Sequence, residues 1–376
     1  MEITDDLAAW VRLANTPGLQ TRTLQLLLSD AGSAGAVLRM SARALAAAGV
    51  GEAARSHLSR RTGLRTEEAS WLQVPGHHLI PFTDPRYPPL LAATGGGPLA
   101  LYVNGDPQRL LDPQLAIVGS RNPTASGCEH AFNFARQLAM AGFTITSGLA
   151  RGIDAAAHRG ALSVPGPTIA VLGTGIDLMY PRMHGVLAQQ ICATGALVSE
   201  FPLGTPARAA HFPQRNRLIA GLSLGTLVIE AARRSGSLIT ARLAGEAGRE
   251  VFALPGSILN PLTRGCHQLI RDGAKLVENT SDILSELDFS FLRARPETVP
   301  DRPGTGLKSS SSMDKAHEIL LDALGFEPSD LDVLVLRTGL KPEEVSSMML
   351  MMELEGLVTV APGGRYTRSA RSPIGE

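Results

Sequence analysis

Short apolar runs alternate with longer amphipathic stretches through the middle of the chain. The amphipathic stretches carry apolar residues at helical spacing, and the short runs end at glycine or hydroxyl residues. The short runs therefore predict strands at Leu115–Val118, Thr144–Thr146, Thr168–Leu172, Ala196–Ser199, Thr226–Ile229, Val251–Leu254 and Lys275–Val277.

The stretches between these strands predict helices near Ser126–Ala141, Ala155–Leu162, Met183–Ala193, Asn216–Leu222, Leu238–Ala247 and His267–Asp272. Regular alternation of strand and helix implies βαβ units with right-handed crossovers, and a parallel sheet that is covered on both faces. We therefore predict an α/β fold for residues 114–290, a Rossmann-like doubly wound sheet with mostly parallel strands.

Two different segments precede this core. Residues 1–73 are rich in Ala and Leu at helical spacing and predict a small helical domain of the SAM or helix-hairpin-helix type. Its loop Thr16–Gln20 has Gln20 where such modules have a second glycine, which favours a structural or docking role over contact with DNA. Residues 74–113 contain many prolines, which exclude a helix, and predict an extended connector with a short strand at Leu99–Val103.

The C-terminal end predicts a winged-helix domain. Residues 291–312 are rich in Pro, Gly and Ser and predict a flexible linker. Residues 313–370 then predict three helices, Ala316–Leu324, Leu331–Thr338 and Glu343–Glu355, followed by a β-hairpin. The third helix of such domains usually reads DNA, but this one carries four glutamates that would repel phosphates. Its methionine cluster suits either an adaptable protein contact or the domain core.

The charges are distributed unevenly, although the formal net charge of the 376 residues is zero. Between Ala116 and Lys275 there are 15 basic and 8 acidic residues, whereas Met313–Tyr366 contains 4 basic and 10 acidic residues. The middle of the chain is therefore a candidate for binding a polyanion, and the C-terminal domain is not.

Several classes of protein are excluded by simple features of the sequence. The three cysteines are far apart and lack ligand spacing, which argues against a disulfide framework or a zinc site. A long apolar segment and a signal peptide are both absent. We expect a soluble, cytoplasmic protein with no membrane partner.

The predicted strands end in residues that suit an anion. In open α/β sheets, ligands bind outside the carboxyl ends of the strands, and the first strand stops at Gly119–Arg121 just before a helix, which is typical of an anion site. The other ends are Ser147-Gly148, Gly173-Thr174-Gly175, Ser199-Glu200, Glu230 and Pro255-Gly256, with arginines nearby at Arg151, Arg215, Arg217, Arg233 and Arg234.

Cofactor and catalytic motifs are weak. The G-x-G-x-x-G fingerprint is missing after the first strand, as is the acidic residue after the second strand, and no Walker A lysine is present. Asp154 and His158 lie four residues apart, which favours local capping or packing over a metal site, and Asp177 and Glu230 lack an evident partner. We predict no cofactor, no metal and no catalytic residue.

Seven ordered motifs resemble the bacterial DNA-processing protein A family (DprA, also called Smf). The motifs cover nearly the whole core, and the helical N-terminal module and winged-helix end match the larger members of the family. The motifs are AIVGSR (116–121), SGLARGID (147–154) with His158, TIAVLGTGID (168–177) with Tyr180-Pro181, SEFP (199–202), FPQRNR (212–217), EA (230–231) with SGSLITA (235–241), and PGS (255–257).

The resemblance implies a single-stranded DNA-binding protein of natural transformation. Such a protein coats incoming strands in competent cells, shields them from nucleases and loads the RecA recombinase for DNA recombination, as a homodimer without enzymatic turnover. It implies a strand-binding surface built from Gly119, Ser120 and Arg121, with Arg151, Phe212, Arg215 and Arg217 around it. Arg208 stands in for a lysine that some members use.

The residues themselves agree with this resemblance. Sequence-independent binding of a single strand needs N–H groups and cations for the phosphates, and an aromatic ring on which a base stacks. Aromatic residues are scarce in this chain, so Phe212 beside an arginine cluster is the candidate ring. The predicted DNA-binding residues are Gly119, Ser120, Arg121, Ser147, Gly148, Arg151, Gly173, Thr174, Gly175, Arg208, Phe212, Arg215, Asn216, Arg217, Ser235, Gly236 and Ser237.

Two other functions compete with this one. Gly221–Glu230 partly matches the P-G-G-x-G-T-x-x-E motif of phosphoribohydrolases that act on nucleotide monophosphates, but it lacks the Pro-Gly-Gly. Alternatively, the winged helix could read duplex DNA, which the acidic count of that domain disfavours.

Overall fold

The computed structural model describes residues 5–60, 63–258, 260–287, 328–361 and 363–369, together with residues 320 and 324. The described residues fall into two compact units, one within 1–296 and the other within 297–376. The predicted linker at 291–312 lies outside the described residues, as does most of the predicted helix at Ala316–Leu324.

Six helices form the N-terminal module of the first unit. They are α1 (Asp5–Ala14), α2 (Thr21–Ala31), α3 (Ala34–Arg39), α4 (Ala42–Ala47), α5 (Glu52–Ser59) and α6 (Thr66–Gln73). Helices α3 and α4 begin where the Ser33 and Ser41 side chains accept hydrogen bonds from backbone N–H groups of the first turn. Helices are therefore present where the sequence predicted them, whereas a separate domain of the SAM or helix-hairpin-helix type stays a prediction.

A nine-stranded sheet forms the centre of the first unit, counted over the described residues. Its strands, in chain order, are β1 (His77–Pro81), β2 (Ala100–Gly105), β3 (Gln114–Gly119), β4 (Thr144–Ser147), β5 (Thr168–Val171), β6 (Ala196–Ser199), β7 (Gly225–Ile229), β8 (Glu250–Ala253) and β9 (Lys275–Leu276). In space the order is β1-β2-β6-β5-β4-β3-β7-β8-β9. Strands β3 to β9 are parallel, and β1 and β2 run antiparallel at one edge, which confirms the prediction of a mostly parallel sheet.

The strand order reverses between β3 and β7. From β3 the chain adds β4, β5 and β6 on one side, and then returns to place β7 on the other side of β3, with Gly119 opposite Ile229. The crevice outside the carboxyl ends of two such strands is the usual ligand position in an open α/β sheet.

Helices cover both faces of the sheet because the strands are apolar on both sides. The helices are α7 (Pro89–Ala93), α8 (Ala125–Met140), α9 (Ile153–Leu162), α10 (Gly185–Thr194), α11 (His211–Leu222), α12 (Gly236–Glu246), α13 (Arg264–Arg271) and α14 (Thr280–Leu284). Leu115 and Ile117 pack into one apolar cluster with α8, α9 and α14, whereas Ala116 and Val118 pack into another with α7, α11, α12 and α13.

The prediction that prolines exclude a helix from residues 74–113 is wrong. Helix α7 begins at Pro89, and a 3₁₀ turn begins at Pro107. Proline is compatible with the first turn of a helix, because the N–H that it lacks has no partner inside the helix there. The segment also supplies β1 and β2, so it is an integral edge of the sheet and more than a connector.

The N-terminal module packs against this antiparallel edge. The rings of Trp10 and Phe82 meet edge to face at 5.6 Å, and the Tyr102 hydroxyl donates a hydrogen bond of 3.0 Å to Asn15 Oδ1. Buried apolar residues of α1 and α2 lie in the same cluster as Leu79 of β1. The module and the sheet therefore share one core.

The second unit has the helix and hairpin arrangement of the end of a winged-helix domain. Its elements are α15 (Leu331–Thr338), α16 (Pro342–Leu354), β10 (Val358–Ala361) and β11 (Arg365–Arg368), with β10 and β11 antiparallel. Met349 and Met352 are buried in its core, whereas Met351 is exposed together with Leu350 and Leu354. The methionine cluster thus serves the core on one side of α16 and faces solvent on the other.

Within the described residues, none of the helices has both the length and the apolar character needed to cross a membrane.

Candidate nucleic-acid interface

A cavity of about 710 Å³ lies outside the carboxyl end of β3, at the switch point of the sheet. Gly119 and Arg121 form its wall next to β3, and the first turns of α11 and α12 form the opposite walls. Nine of the predicted DNA-binding residues line it: Gly119, Arg121, Arg208, Phe212, Arg215, Asn216, Ser235, Gly236 and Ser237.

An arginine and two aromatic rings meet at one end of this cavity. The guanidinium carbon of Arg121 lies over the Phe212 ring, 5.3 Å from its centroid, within range for a cation–π interaction. The ring of Tyr180 lies 5.5 Å from Phe212, tilted by 44°. A Cβ atom at Gly173 would approach the Phe212 ring to 3.0 Å, so glycine at this position lets the ring pack closely on the end of β5.

The first turn of α12 supplies hydrogen-bond donors at the other end of the cavity. Ser235 caps the helix, its hydroxyl accepting from Ser237 N at 3.3 Å, and the Asn216 amide donates to the Gly236 carbonyl at 3.3 Å. A helix N-terminus carries a partial positive charge that favours an anion. Arg121 and Arg208 are both exposed at the same cavity, and Asp154, the one acidic residue among the described residues that line it, is buried, so the exposed charge of the cavity is positive.

Arg215 lies beneath this surface. Arg215 is only 3% exposed, and its guanidinium donates to the Gly148 carbonyl at 2.6 Å and to the Val171 carbonyl. It thereby ties α11 to the carboxyl ends of β4 and β5. Burial lowers the pKa of Arg215 to about 10, and the Asp154 carboxylate counteracts that shift.

Arg217 lies away from the cavity. Its guanidinium forms an ion pair with the Glu200 carboxylate and donates to the Gly96 carbonyl at 2.6 Å. Two residues along a helix are about 200° apart around its axis, so Arg215 and Arg217 face opposite sides of α11. The structure therefore does not bring Arg217 together with Arg121 and Arg208.

The remaining predicted residues lie around the cavity and do not line it. The buried Ser147 hydroxyl donates to the Ile117 carbonyl at 2.6 Å, and the Thr174 hydroxyl donates to the Leu178 carbonyl at 2.7 Å, so both stabilise strand ends. Ser120 accepts from Asn122 N at 3.1 Å, and Arg151 is exposed. Gly148 and Gly173 provide close packing for Arg215 and Phe212, and Gly175 for the turn at 202–204.

The N-terminus of α8 is occupied by a side chain of the protein. Glu230, at the end of β7, accepts hydrogen bonds from Thr124 N at 2.8 Å and from the Thr124 hydroxyl at 2.5 Å. The prediction that Glu230 lacks a partner is thus wrong. In dinucleotide-binding folds the pyrophosphate lies at this helix terminus, so the structure agrees with the missing fingerprint. The carboxylate that the phosphoribohydrolase alternative would use is engaged with Thr124.

The other polar pairs near the cavity have structural partners. Asp154 accepts from Ala150 N at 3.2 Å, and His158 Nδ1 lies 2.7 Å from the Thr168 hydroxyl, which supports the local role predicted for both. Asp177, which the sequence left without a partner, accepts from Gly204 N. Burial raises the pKa of Asp154 and lowers that of His158 to about 3.

Tyr180 is a cavity residue that the sequence analysis quoted only as part of a motif. Tyr180 closely follows Gly173–Gly175 at the carboxyl end of β5. Ligands of open α/β sheets bind at this edge. Its position after that strand was therefore the available signal. Thr240, buried in α12, also lines the cavity.

The core is a doubly wound α/β sheet with a cationic and aromatic cavity at its switch point. These features define a Rossmann-like protein with a site that suits an anion. The sequence lacks the fingerprint of dinucleotide-binding proteins of this fold. A family profile described as DNA recombination-mediator protein A matches residues 78–288, and one described as DprA winged helix domain matches residues 303–364. The chain belongs to this DprA, or Smf, family of DNA-processing proteins.

Individual relatives agree with this assignment. Protein Smf of Escherichia coli K12 is 48% identical over 305 residues, covering 80% of each chain. The X-ray structure of DNA processing protein A from Streptococcus pneumoniae superposes with a TM-score of 0.66 at 34% identity, over 77% of this chain and 100% of that one. A structure of the Helicobacter pylori protein, described in terms of its single-stranded DNA binding mode, gives a TM-score of 0.50 at 30% identity, over 54% and 94%.

Proposed function

We propose that the chain binds single-stranded DNA, without reading its sequence, in the cavity at the carboxyl end of β3. The observation that carries this proposal is the convergence of two exposed arginines, a helix N-terminus and an aromatic pair on one cavity. Phosphates need cations and N–H donors, and bases need an aromatic face. The single-stranded DNA binding described for the Helicobacter pylori relative supports the same ligand.

The predicted residues have two roles in this proposal. Phosphates contact the turn Gly119–Arg121, Arg208 and the first turn of α12, with Asn216 beside it, while a base contacts Phe212. Arg215 and the strand-end residues at 147–148 and 173–175 position these groups from below. Arg151, which is exposed, extends the cationic surface outside the cavity, whereas the charge of Arg217 is compensated by Glu200.

We further propose that the chain acts in natural transformation. It protects incoming single strands and loads the RecA recombinase in the cytoplasm, as a homodimer and without catalytic turnover. Family membership supports this role. The structural engagement of Glu230 by Thr124 and of Asp154 by Ala150 supports a binding function over catalysis. The DNA-binding function is assigned to residues 114–290, and protein contacts to the acidic residues 313–370.

A salt titration tests the proposed site. Binding of a fluorescent oligothymidylate is followed by anisotropy at several salt concentrations, for the wild type and for the double variant Arg121→Ala/Arg208→Ala. The double variant should bind at least tenfold more weakly, with a salt slope reduced by about 1.4, because each lost phosphate contact removes about 0.7 for a single strand.

The control is Arg136→Ala, which removes an exposed arginine of α8 that does not line the cavity. It should retain wild-type affinity and slope. Unchanged binding by the double variant, or an equal loss in the control, would show that the strand binds elsewhere.

A further inference from the structure

The Phe212 ring is partly enclosed in the structure. Arg121 covers it at 5.3 Å, and Gly173 approaches it so closely that a Cβ atom there would lie 3.0 Å from the ring. Tyr180, in contrast, is 48% exposed and lines the same cavity. The more accessible aromatic surface at the cavity therefore belongs to Tyr180.

The segment that carries Tyr180 is held in place on both sides. The Thr174 hydroxyl donates to the Leu178 carbonyl at 2.7 Å, and Gly204 N donates to the Asp177 carboxylate at 2.9 Å. Beyond the tyrosine, His184 N donates to the Pro181 carbonyl at 3.1 Å. A side chain on such a fixed segment loses little conformational entropy when a ligand packs against it.

The exposed ring of Tyr180 lies beside the ring that is proposed to contact a base. The two ring centroids are 5.5 Å apart, and both residues line the same cavity. Tyr180 therefore offers a second aromatic surface within the proposed DNA site.

We propose that Tyr180 is a second base-contact residue, on which the base next to the one at Phe212 stacks. The two rings are tilted by 44° and their centroids lie 5.5 Å apart, so there is no space for a base between them and each ring offers a separate face. Stacking on an aromatic side chain tolerates any base, because every base has a π-face. The inference rests on the proposed function, since it assigns a residue of the same site.

Substitutions of Tyr180 separate stacking from other roles of this residue. Tyr180→Leu keeps apolar packing against Phe212 but removes the aromatic face, and should weaken oligothymidylate binding roughly tenfold, within the range measured for one base stack. Its salt slope should equal that of the wild type, because no phosphate contact is lost. Tyr180→Phe should bind like the wild type. Met140→Ala, which alters an exposed side chain of α8 outside the cavity, is the control and should bind like the wild type.

Two further measurements report on direct contact. An oligonucleotide of abasic sites should bind the wild type and Tyr180→Leu equally, because it has no base to stack. Tyr180→Trp should lose fluorescence when oligothymidylate binds, against the background of the wild type with its Trp10 and Trp71.

The results that overturn the inference are distinct from failure of the proposed function. Stacking on Tyr180 is contradicted if Tyr180→Leu binds oligothymidylate with wild-type affinity, or if Tyr180→Phe loses as much affinity as Tyr180→Leu. It is also contradicted if Tyr180→Leu binds the abasic strand tenfold more weakly than the wild type does, or if the fluorescence of Tyr180→Trp does not change when oligothymidylate binds. Failure of the wild type to bind any single strand would instead contradict the proposed function itself.

Discussion

The guanidinium of Arg121 lies over the ring of Phe212, with 5.3 Å between its central carbon and the ring centroid. These residues come from the turn after β3 and from α11, so the tertiary fold joins the cation that we propose for a phosphate to the ring that we propose for a base. An arginine in this position can contact a phosphate through its N–H groups while its charge remains within cation–π range of the ring. Each of the two groups therefore has a separable effect on binding.

Loss of the Arg121 charge should change the salt dependence of binding. Arg121→Ala is expected to raise the Kd for single-stranded DNA about tenfold and to reduce the salt slope by about 0.7. Arg121→Lys keeps the charge but not the fork of guanidinium N–H donors, and should retain the slope with a smaller loss of affinity. Anisotropy titrations at several salt concentrations measure both quantities, and a slope unchanged in the alanine variant would mean that Arg121 contacts no phosphate.

Loss of the Phe212 ring should affect affinity alone. Phe212→Leu keeps an apolar side chain over Gly173 and is expected to weaken binding roughly tenfold, with the salt slope unchanged, because a base stack contributes about 1–3 kcal/mol. The same titrations provide the test. A reduced slope together with the lost affinity would indicate that the ring acts mainly by positioning Arg121.

Replacement of Arg215 should lower stability. The guanidinium is buried and donates to two main-chain carbonyls, so Arg215→Met leaves both acceptors without this donor and removes the positive charge that acts on the buried Asp154 carboxylate. We expect the free energy of unfolding to fall by about 3 kcal/mol, as for other broken buried charge pairs. Urea denaturation measures this loss, and Arg136→Met, at an exposed position, should stay within about 0.5 kcal/mol of the wild type.

His158 should make the fold sensitive to acid. Burial lowers the pKa of His158 in the folded protein from its ordinary value of 6.5 to about 3, so between these pH values the unfolded chain binds the extra proton. Stability therefore rises with pH through this window, and lowering the pH from 7.5 to 5 should cost about 2 kcal/mol through this residue. Denaturation midpoints of the wild type and His158→Gln at both pH values check the assignment. An equal loss in the two proteins would exclude His158 as the source.

Removal of the acidic C-terminal domain should leave single-strand binding mostly intact. Glu343, Glu344, Glu353 and Glu355 are exposed in or beside α16, and phosphates would be repelled by them. Deletion of residues 313–376 is therefore expected to change the Kd for oligothymidylate less than threefold. A loss of tenfold or more would show that this domain contacts DNA.

The sheet could be predicted from the sequence because its signal is local. Each buried parallel strand, such as Leu115–Val118, is a short apolar run ending at glycine or a hydroxyl residue. The edge strands β1 and β2 gave a weaker signal, because prolines flank them and only Leu99–Val103 is continuously apolar. Proline at the first helical turn of α7 was similarly misjudged, since the same residue that ends one helix can begin another.

The composition of the site could be predicted, but the direction of its side chains could not. Arg215 and Arg217 lie in one motif, and only the placement of α11 against the sheet decides that one is buried beneath the cavity and the other pairs with Glu200. Tyr180 follows a strand end, which placed it near the site, but its contact with Phe212 could not be predicted. That contact joins segments that are 32 residues apart in the chain, and no spacing rule connects them.

Glu230 places its carboxylate at the N-terminus of α8, a position where a bound anion could otherwise lie. Because its carboxylate already satisfies Thr124 at the start of α8, a free nucleotide finds that helix end closed. The first turn of α12, in contrast, lines the cavity together with Arg121 and Arg208. The internal carboxylate therefore separates two helix ends near the switch point, one closed by the protein itself and one left at the site proposed for the strand.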